Sequence, residues 1–256
     1  MCYHVNVITK RIIACLDIAN GKVVKGVKFG NHEVVGDAVE LAEKYCKNGI
    51  NELVLYDILA SANDTEIDTK MIENVARNIN IPFCVAGNID SCEKAEKCLK
   101  SGADKVSINS PALKNPDLID EIVKNFGSST LVVGIDTKGG EIYKNTGNVD
   151  KTEKCKCGIF DWVKEVENRG AGEIVVNSMS FDGTKNGFDI ELLDKITKSV
   201  KVPVIASGGA GKAEDFVEVF TKTAVSGALG ASVFHKNLVD IKELKQKLMA
   251  NGVLVC

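Results

Sequence analysis

Two aspartates stand at the ends of short, β-branched runs of sequence, where polar residues would follow a strand. Asp17 follows the run Arg11–Leu16, and Asp136 follows the run Leu131–Ile135. If eight strands close into a ring, the first and the fifth lie on opposite sides, so the two carboxylates would face each other across one mouth. Opposed carboxylates can act as general acid and general base on one substrate. Each aspartate could instead cap a turn, but two at equivalent strand ends favour catalysis.

Small and polar residues at other strand ends predict a site for a substrate with two phosphates. Glycines let backbone N–H groups approach a phosphate, and the loops after the seventh and eighth strands are the usual phosphate position in a (β/α)₈ barrel. The candidates in the second half of the chain are Asn177, Asp182, Gly183, Ser207, Gly208, Gly209, Ala231 and Ser232. The candidates in the first half are Gly87, Asn88, Asn109 and Ser110.

Two positions near this mouth leave alternatives open. Asn88 stands where the second half has Gly209, so its side chain either crowds a phosphate or supplies a hydrogen-bond donor. Lys25, in the loop after the first strand, is either a cation that binds a phosphorylated substrate or a solvated lysine.

Charged residues stand at the opposite ends of the strands, where four of them begin. These residues are Arg11, Glu52, Lys105 and Glu173, at the starts of strands one, two, four and six. Alternating signs that point into the floor of a barrel predict a ring of salt bridges. Such a ring could be a structural plug or a gate to a central passage. Because buried ion pairs are weak evidence for stability, the second role stays open.

The elements that would position these residues alternate along the chain. Short apolar runs predict strands, and helical spacing of apolar residues between them predicts the crossovers of a parallel sheet. The predicted strands are Arg11–Leu16, Glu52–Tyr56, Phe83–Val85, Lys105–Ile108, Leu131–Ile135, Glu173–Asn177, Val204–Ala206 and Gly227–Gly230. The predicted helices are Asp37–Asn48, Glu66–Asn78, Ser91–Ser101, Pro116–Phe126, Phe160–Arg169, Ile190–Val200, Ala213–Lys222 and Asp240–Ala250. An open doubly wound sheet is the rival arrangement.

An internal repeat favours the closed ring over the open sheet. Gly49 matches Gly170 and Pro82 matches Pro203, and each pair lies 121 positions apart within similar stretches of sequence. Two four-strand halves in the same order close naturally into one (β/α)₈ barrel. We therefore expect a single domain over residues 1–256, built from half-barrels at about 10–127 and 128–250.

Length and composition bound the class of protein. A single domain of 256 residues with 45% hydrophobic and 26% charged residues is typical of a globular barrel. A net charge of −3 without a basic cluster gives no indication of nucleic-acid binding. No signal peptide and no membrane span is evident, so the nine cysteines predict free thiols in a reducing cytoplasm.

Several kinds of chemistry have no matching motif. Cys155-Lys156-Cys157 has no second cysteine pair or nearby histidine to complete a metal site, which favours a loop with two thiols of no special role. The sequence also lacks a zinc hydrolase motif, a nucleophile elbow and a phosphate-binding P-loop. We therefore expect no metal and no cofactor.

Seven stretches of sequence together carry a specific resemblance. They are Arg11–Asp17, Val23–Gly26, Gly102–Asn109, Arg169–Ile174, Asp182–Thr184, Ala206–Gly211 and Ala231–His235. On these stretches, the chain from Lys10 to Cys256 resembles the cyclase subunits of imidazole glycerol phosphate synthase, which act in histidine biosynthesis.

The resemblance implies a lyase that works as a heterodimer with a glutaminase subunit. Ammonia released by the glutaminase would pass through the barrel and convert a phosphoribulosyl-formimino aminoimidazole carboxamide ribotide. The products would be imidazole glycerol phosphate and an aminoimidazole carboxamide ribotide. Asp17 and Asp136 would be the acid–base pair, and Lys25 would belong to a mobile loop over the site. Arg11, Glu52, Lys105 and Glu173 would form the charged ring at the ammonia entrance.

Three departures from the family pattern leave the substrate open. Asn88 replaces a usual glycine, Leu59 replaces a threonine, and Ser180 stands where Asp or Asn is common. One alternative is a related ammonia-dependent synthase subunit that amidates another phosphorylated or nucleotide-linked sugar. An alternative of another class is a catalytically idle barrel that binds a ligand or partner. The ten residues before Arg11 are also atypical of the family.

Overall fold

The fold is a closed parallel β-barrel surrounded by helices, as the sequence predicts. The structure is a computed structural model that describes residues 9–19, 21–27, 31–58 and 66–255. Within these residues, eight parallel strands pair in chain order, and the last closes the ring by pairing with the first. The barrel strands are Arg11–Ala19, Glu52–Asp57, Phe83–Ala86, Lys105–Ile108, Leu131–Lys138, Glu173–Ser178, Val204–Ser207 and Gly227–Gly230. They are numbered one to eight in this order below.

Successive side chains along each strand belong to two different apolar layers, one between the strands and the helices and one inside the barrel. On the first strand, Ile12, Ala14 and Leu16 belong to the outer core between strands and helices. The residues between them point into the barrel, because successive side chains of a strand face opposite sides. A Cβ on Gly227 would lie 3.0 Å from Ile13 of the neighbouring strand, so the interior is also tightly packed.

The helices lie where the apolar periodicity predicts them, with ends that differ by a few residues. Aspartates 37, 68, 189 and 240 cap helices at the N-terminus by accepting backbone N–H groups, which satisfies donors that a first turn leaves unpaired. The long helices are Ala38–Lys47, Thr69–Arg77, Cys92–Lys100, Asp117–Phe126, Ile159–Asn168, Ile190–Ser199, Ala213–Lys222 and Ile241–Ala250. Short helices at Ser110–Lys114 and Ser232–His235 follow the fourth and eighth strands.

Two antiparallel additions were not predicted. The strands Lys22–Val27 and Asn31–Asp37 form a hairpin on the end of the first strand, so Lys25 lies in a strand and the prediction of a loop there was wrong. The strands Glu141–Lys144 and Glu153–Gly158 extend the fifth strand. Cysteines 155 and 157 lie in the second of these, so their prediction as loop residues was also wrong. We call residues 139–158 the flap.

Close backbone contacts recur in the two halves. A Cβ on Gly87 would lie 2.5 Å from the carbonyl oxygen of Asp57, and a Cβ on Gly208 would lie 2.7 Å from that of Ser178. Both members of the second pair lie 121 positions after those of the first. These contacts agree with a duplicated plan, while the exact division at residues 127 and 128 stays a prediction. Among the described residues, the structure contains no helix with the length and apolar character that a membrane crossing requires.

Candidate active site

Asp136 ends the inward face of the fifth strand and is held by its neighbours on both sides. Its carboxylate accepts a hydrogen bond from Asn109 Nδ2 at 2.8 Å and another from Asn177 Nδ2 at 2.8 Å. Ser207 Oγ in turn donates to Asn177 Oδ1 at 3.1 Å. Residues from the fourth to the seventh strand therefore form one network that sets the orientation of this carboxylate.

A third donor comes from the flap. The hydroxyl of Thr146 donates to Oδ2 of Asp136. Sequence reasoning missed Thr146, because nothing in its type or spacing predicts that residues beyond the fifth strand fold back over the barrel mouth. The backbone N–H of Asn145 also donates to Ser110 Oγ at 2.7 Å, so the flap contacts the fourth loop as well.

The surroundings of Asp136 change its acidity. Burial raises the pKa of Asp136 above the ordinary aspartate value, and the hydrogen bonds from Thr146, Asn177 and Asn109 only partly oppose this. The nearby charge of Asp182 raises the pKa further. A carboxylate with a raised pKa and a partly exposed side chain is suited to proton transfer.

Asp17 lies on the first strand, directly across the ring from the fifth. It pairs in register with Tyr56 of the second strand, just as Asp136 pairs with Asn177 of the sixth. Its Oδ1 atom lies 3.5 Å from the thiol of Cys15, which donates to it. Both predicted aspartates are therefore partly exposed at the same end of the same barrel.

The loop after the seventh strand packs directly on the loop after the sixth. Gly209 has a φ of +109°, and a Cβ there would overlap the carbonyl oxygen of Gly187. The backbone N–H groups of Gly211 and Lys212 are already bound by the buried carboxylate of Asp215. These two N–H groups are therefore not available to a ligand.

Other predicted residues of the second half surround this position. Asp182 and Gly183 lie in the exposed turn after the sixth strand, and Ser180 is exposed in the same turn. Ala231 and Ser232 lie where the eighth strand passes into the short helix Ser232–His235.

The first half places its predicted residues at the corresponding strand ends. Gly87 and Asn88 follow the third strand, and Asn88 takes a φ of +44°, a left-handed conformation that asparagine tolerates better than most residues. Asn109 points its amide at Asp136, so its side chain belongs to the carboxylate network. Its Oδ1 atom is buried and has no hydrogen-bond partner among the described residues. The side chain of Lys25, all of Leu59 and the leader residues 1–8 lie outside the described residues.

The four charged residues at the opposite end form an alternating ring. Arg11 lies 2.6 Å from Glu52 and 2.7 Å from Glu173, while Lys105 lies 3.1 Å from each of these glutamates. Burial alone would lower the pKa of Arg11, but Glu173 and Glu52 outweigh it and raise the pKa. Arg11 therefore stays charged, and the four ion pairs close the floor of the barrel.

Neutral side chains occupy the interior between this ring and the aspartates. By strand alternation they include Ile13, Val54, Cys84, Ser107, Val132, Val175 and Ile205. Burial and the charge of Glu52 raise the pKa of Cys84 well above that of an ordinary thiol, so this thiol is neutral. None of these seven side chains therefore carries a charge.

No metal centre emerges from the described part of the chain. It contains no group of three or more His, Cys, Asp or Glu side chains that could hold a metal ion.

The chain is similar to known proteins over nearly its whole length. A family model described as "Histidine biosynthesis protein" matches residues 11–240. The imidazole glycerol phosphate synthase subunit HisF of Francisella philomiragia is 53% identical over 250 residues, which cover 96% of this chain and 97% of that protein. The HisF subunit of Campylobacter jejuni is 53% identical over 253 residues, which cover 97% of this chain and 99% of the relative. The HisF subunit of Buchnera aphidicola is 53% identical over 252 residues, with 96% and 98% covered.

Proposed function

The chain belongs to the family of imidazole glycerol phosphate synthase HisF subunits, enzymes of histidine biosynthesis, and from that premise we propose its chemistry. It is the cyclase subunit, a lyase that uses ammonia to convert the phosphoribulosyl-formimino aminoimidazole carboxamide ribotide. The products are imidazole glycerol phosphate and aminoimidazole carboxamide ribotide. The observation that carries the proposal is the partly buried hydrogen-bond network around Asp136, opposite Asp17 in a closed ring.

Acid–base catalysis by the two aspartates fits what the reaction requires. Ammonia must lose protons when it adds to the substrate, and the departing ribotide must gain one. Carboxylates on opposite sides of one mouth can serve both faces of a substrate between them. The raised pKa of Asp136 lets this group hold a proton at a higher pH than an ordinary aspartate, which supports its role in proton donation.

The two phosphates of the substrate would bind at equivalent places in the two halves. In the second half, one phosphate would contact Ser207, Gly208, Gly209 and Ser232, beside the turn at Asp182 and Gly183. In the first half, the other phosphate would contact Gly87, Asn88 and Ser110, which follows the fourth strand. The matching contacts of Gly87 and Gly208 support this symmetry. Ser110 accepts a hydrogen bond from Asn145 and keeps its own proton for the ligand.

The charged ring would be the entrance for ammonia. A HisF protein is by name one subunit of a synthase, so this chain works with a further subunit. We propose that the partner is a glutaminase that docks at the ring end in a heterodimer. Ammonia would then cross the ring and the neutral interior to the aspartates. Because ion pairs close the ring, at least one of them must open for each passage. We place this biosynthetic enzyme in the cytoplasm, where its thiols would stay reduced.

Turnover without a partner tests the proposal. The purified chain is incubated with an ammonium salt and the bisphosphate ribotide, and imidazole glycerol phosphate is quantified over time. We expect formation of this product in proportion to enzyme. Binding of the ribotide without any product would contradict the enzyme function. Turnover of a nucleotide-linked sugar in its place would instead favour the related sugar-amidating synthase.

A further inference from the structure

Cysteines 155 and 157 lie in an irregular part of the flap that the proposed reaction does not use. In the pairing of the two flap strands, Lys154 faces Tyr143 and Gly158 faces Glu141. The single residue Ile142 therefore opposes three residues, 155–157, on the other strand. Such a bulge bends its strand and disrupts the pairing of the two strands locally.

Only Lys156 separates the two cysteines along the strand. Both side chains are partly buried on one face of the strand and pack against the hydrophobic core. Neither cysteine forms a disulfide in this structure. Burial, followed by the charge of Cys157, raises the pKa of the Cys155 thiol. The Cys155 thiol is therefore protonated at rest, and both cysteines are free on the same face of the strand.

We propose that Cys155 and Cys157 are a redox site that closes to an intrachain disulfide and thereby weakens the hold of the flap on Asp136. The oxidant is a low-molecular-weight disulfide. The thiolate of one cysteine attacks it, the S–S bond breaks, and one small thiol leaves with a proton. The second cysteine, as a thiolate, attacks the mixed disulfide and releases the other small thiol. Two electrons and two protons pass from the protein to the small disulfide.

The geometry favours a disulfide over a bound metal ion. Within the described residues these two thiols have no third His, Cys, Asp or Glu neighbour that would complete a metal site. Alternate residues of a regular strand lie roughly 6.8 Å apart, at the upper limit of the Cα separation in disulfides. Closing the bond must therefore tighten the bulge and pull on the strand at both sides of it.

That pull reaches the candidate active site through the flap. Glu153 and Lys154, directly before the dithiol, pair with Lys144 and Tyr143. The next residues are Asn145, which binds Ser110, and Thr146, which binds Asp136. A shift in this pairing would withdraw the Thr146 hydroxyl from the carboxylate. This consequence rests on the catalytic role proposed for Asp136, whereas formation of the disulfide does not.

Mass spectrometry tests the site without any assay of activity. The full chain is incubated with oxidised glutathione and digested after alkylation. We expect the loss of two hydrogen atoms and one peptide in which Cys155 and Cys157 are joined. A Cys46→Ser/Cys92→Ser double variant, which lacks two thiols far from the flap, should form the same bond, and Cys155→Ser should not. Glutathione adducts on the wild-type pair without an internal bond would overturn the proposal.

Turnover with ammonium tests the switch. Oxidised wild type should turn over the ribotide about tenfold more slowly than reduced wild type, the effect of losing one hydrogen bond to a charged group. Dithiothreitol should restore the rate, and the rate of Cys155→Ser should not respond to the oxidant. An internal disulfide with an unchanged rate would overturn the switch. An inactive reduced protein would instead contradict the proposed function and leave the mass measurement valid.

Discussion

Asp136 is a single residue that the fold keeps at a cost in stability. Its pKa in the folded protein is raised, because burial outweighs the hydrogen bonds of its donors. An acid with a raised folded pKa destabilises the fold once it ionises. The penalty is absent below the unfolded pKa and is complete above the folded pKa.

Replacement of this carboxylate should therefore stabilise the protein. We expect Asp136→Asn to raise the free energy of unfolding at neutral pH by on the order of 1 kcal/mol. Asn109 can rotate its amide to pair with the new side chain, because its Oδ1 has no partner among the described residues. The gain should shrink as the pH falls through the folded pKa toward the ordinary aspartate range. Urea unfolding over a pH series measures it, and a variant less stable than wild type throughout would contradict the account.

Thr146 should matter for the rate more than for folding. Removal of its hydroxyl in Thr146→Val leaves the shape of the side chain but takes one donor from Asp136. We expect kcat to fall about tenfold with little change in the substrate KM. Steady-state kinetics with ammonium as the nitrogen source measure both. An unchanged kcat would show that the flap does not support this carboxylate.

The matched control for Thr146→Val is the same substitution at Thr137, one residue from Asp136. Thr137 is fully buried, and its hydroxyl has no hydrogen-bond partner among the described residues. Thr137→Val should therefore raise the free energy of unfolding by about 1 kcal/mol, because it removes an unsatisfied polar group. Thermal unfolding measures it, and a large destabilisation would mean that water satisfies this hydroxyl.

Strand ends made part of the site predictable from sequence. Polar residues that terminate buried strands point to the mouth in a parallel barrel, which is why Asp17, Asp136 and Asn177 were found. The hydrogen bonds between the site residues, and the contribution of Thr146, were not predicted. The contact between Thr146 and Asp136 depends on how the flap folds back, and the pairing of Asn109 with Asp136 depends on the register of two strands.

At the scale of elements, periodicity predicted the strands and long helices because each has one face against the core. The hairpin and the flap escaped prediction for the opposite reason. Their strands lie outside the barrel ring and are interrupted by register shifts, between Val23 and Val24 in one case and between Glu141 and Tyr143 in the other. A bulge breaks the twofold alternation on which a strand prediction depends.

The contact between the loops after the sixth and seventh strands should contribute to stability. Gly209→Ala should destabilise the protein by about 1–3 kcal/mol more than Gly252→Ala, because only the first places a methyl group against backbone. Both residues have a positive φ, of +109° and +76°, so the control carries a left-handed alanine in open space. Urea unfolding compares the two. Equal losses would mean that the loops can separate without cost.

At the scale of the whole molecule, the proposed function needs both ends of one barrel, the charged ring at one end and the two aspartates at the other. The repeat predicted from sequence fits a design in which two similar halves each supply one aspartate and one phosphate position. The charged ring was predicted as alternating charges, but sequence could not distinguish a plug from a gate. Its pairwise contacts require coordinates, because the four residues come from strands far apart in the chain.

A substitution in the charged ring should affect turnover with glutamine and turnover with ammonium to different extents. Glu173→Gln removes a charge that both Arg11 and Lys105 contact. We expect turnover with glutamine and the partner subunit to fall by a larger factor than turnover with ammonium, since only the first needs ordered passage through the ring. The ratio of the two rates in wild type and variant measures this. An identical ratio in both proteins would argue for a purely structural ring.

The most direct measurement is the single-turnover rate of Asp17→Asn and Asp136→Asn with saturating ribotide and ammonium, each beside its dissociation constant for the ribotide. We predict that each variant binds the ribotide as wild type does and reacts at least about 10²-fold more slowly, the usual contribution of a general acid or base. A wild-type rate in either variant would contradict the claim that two opposed carboxylates perform the reaction.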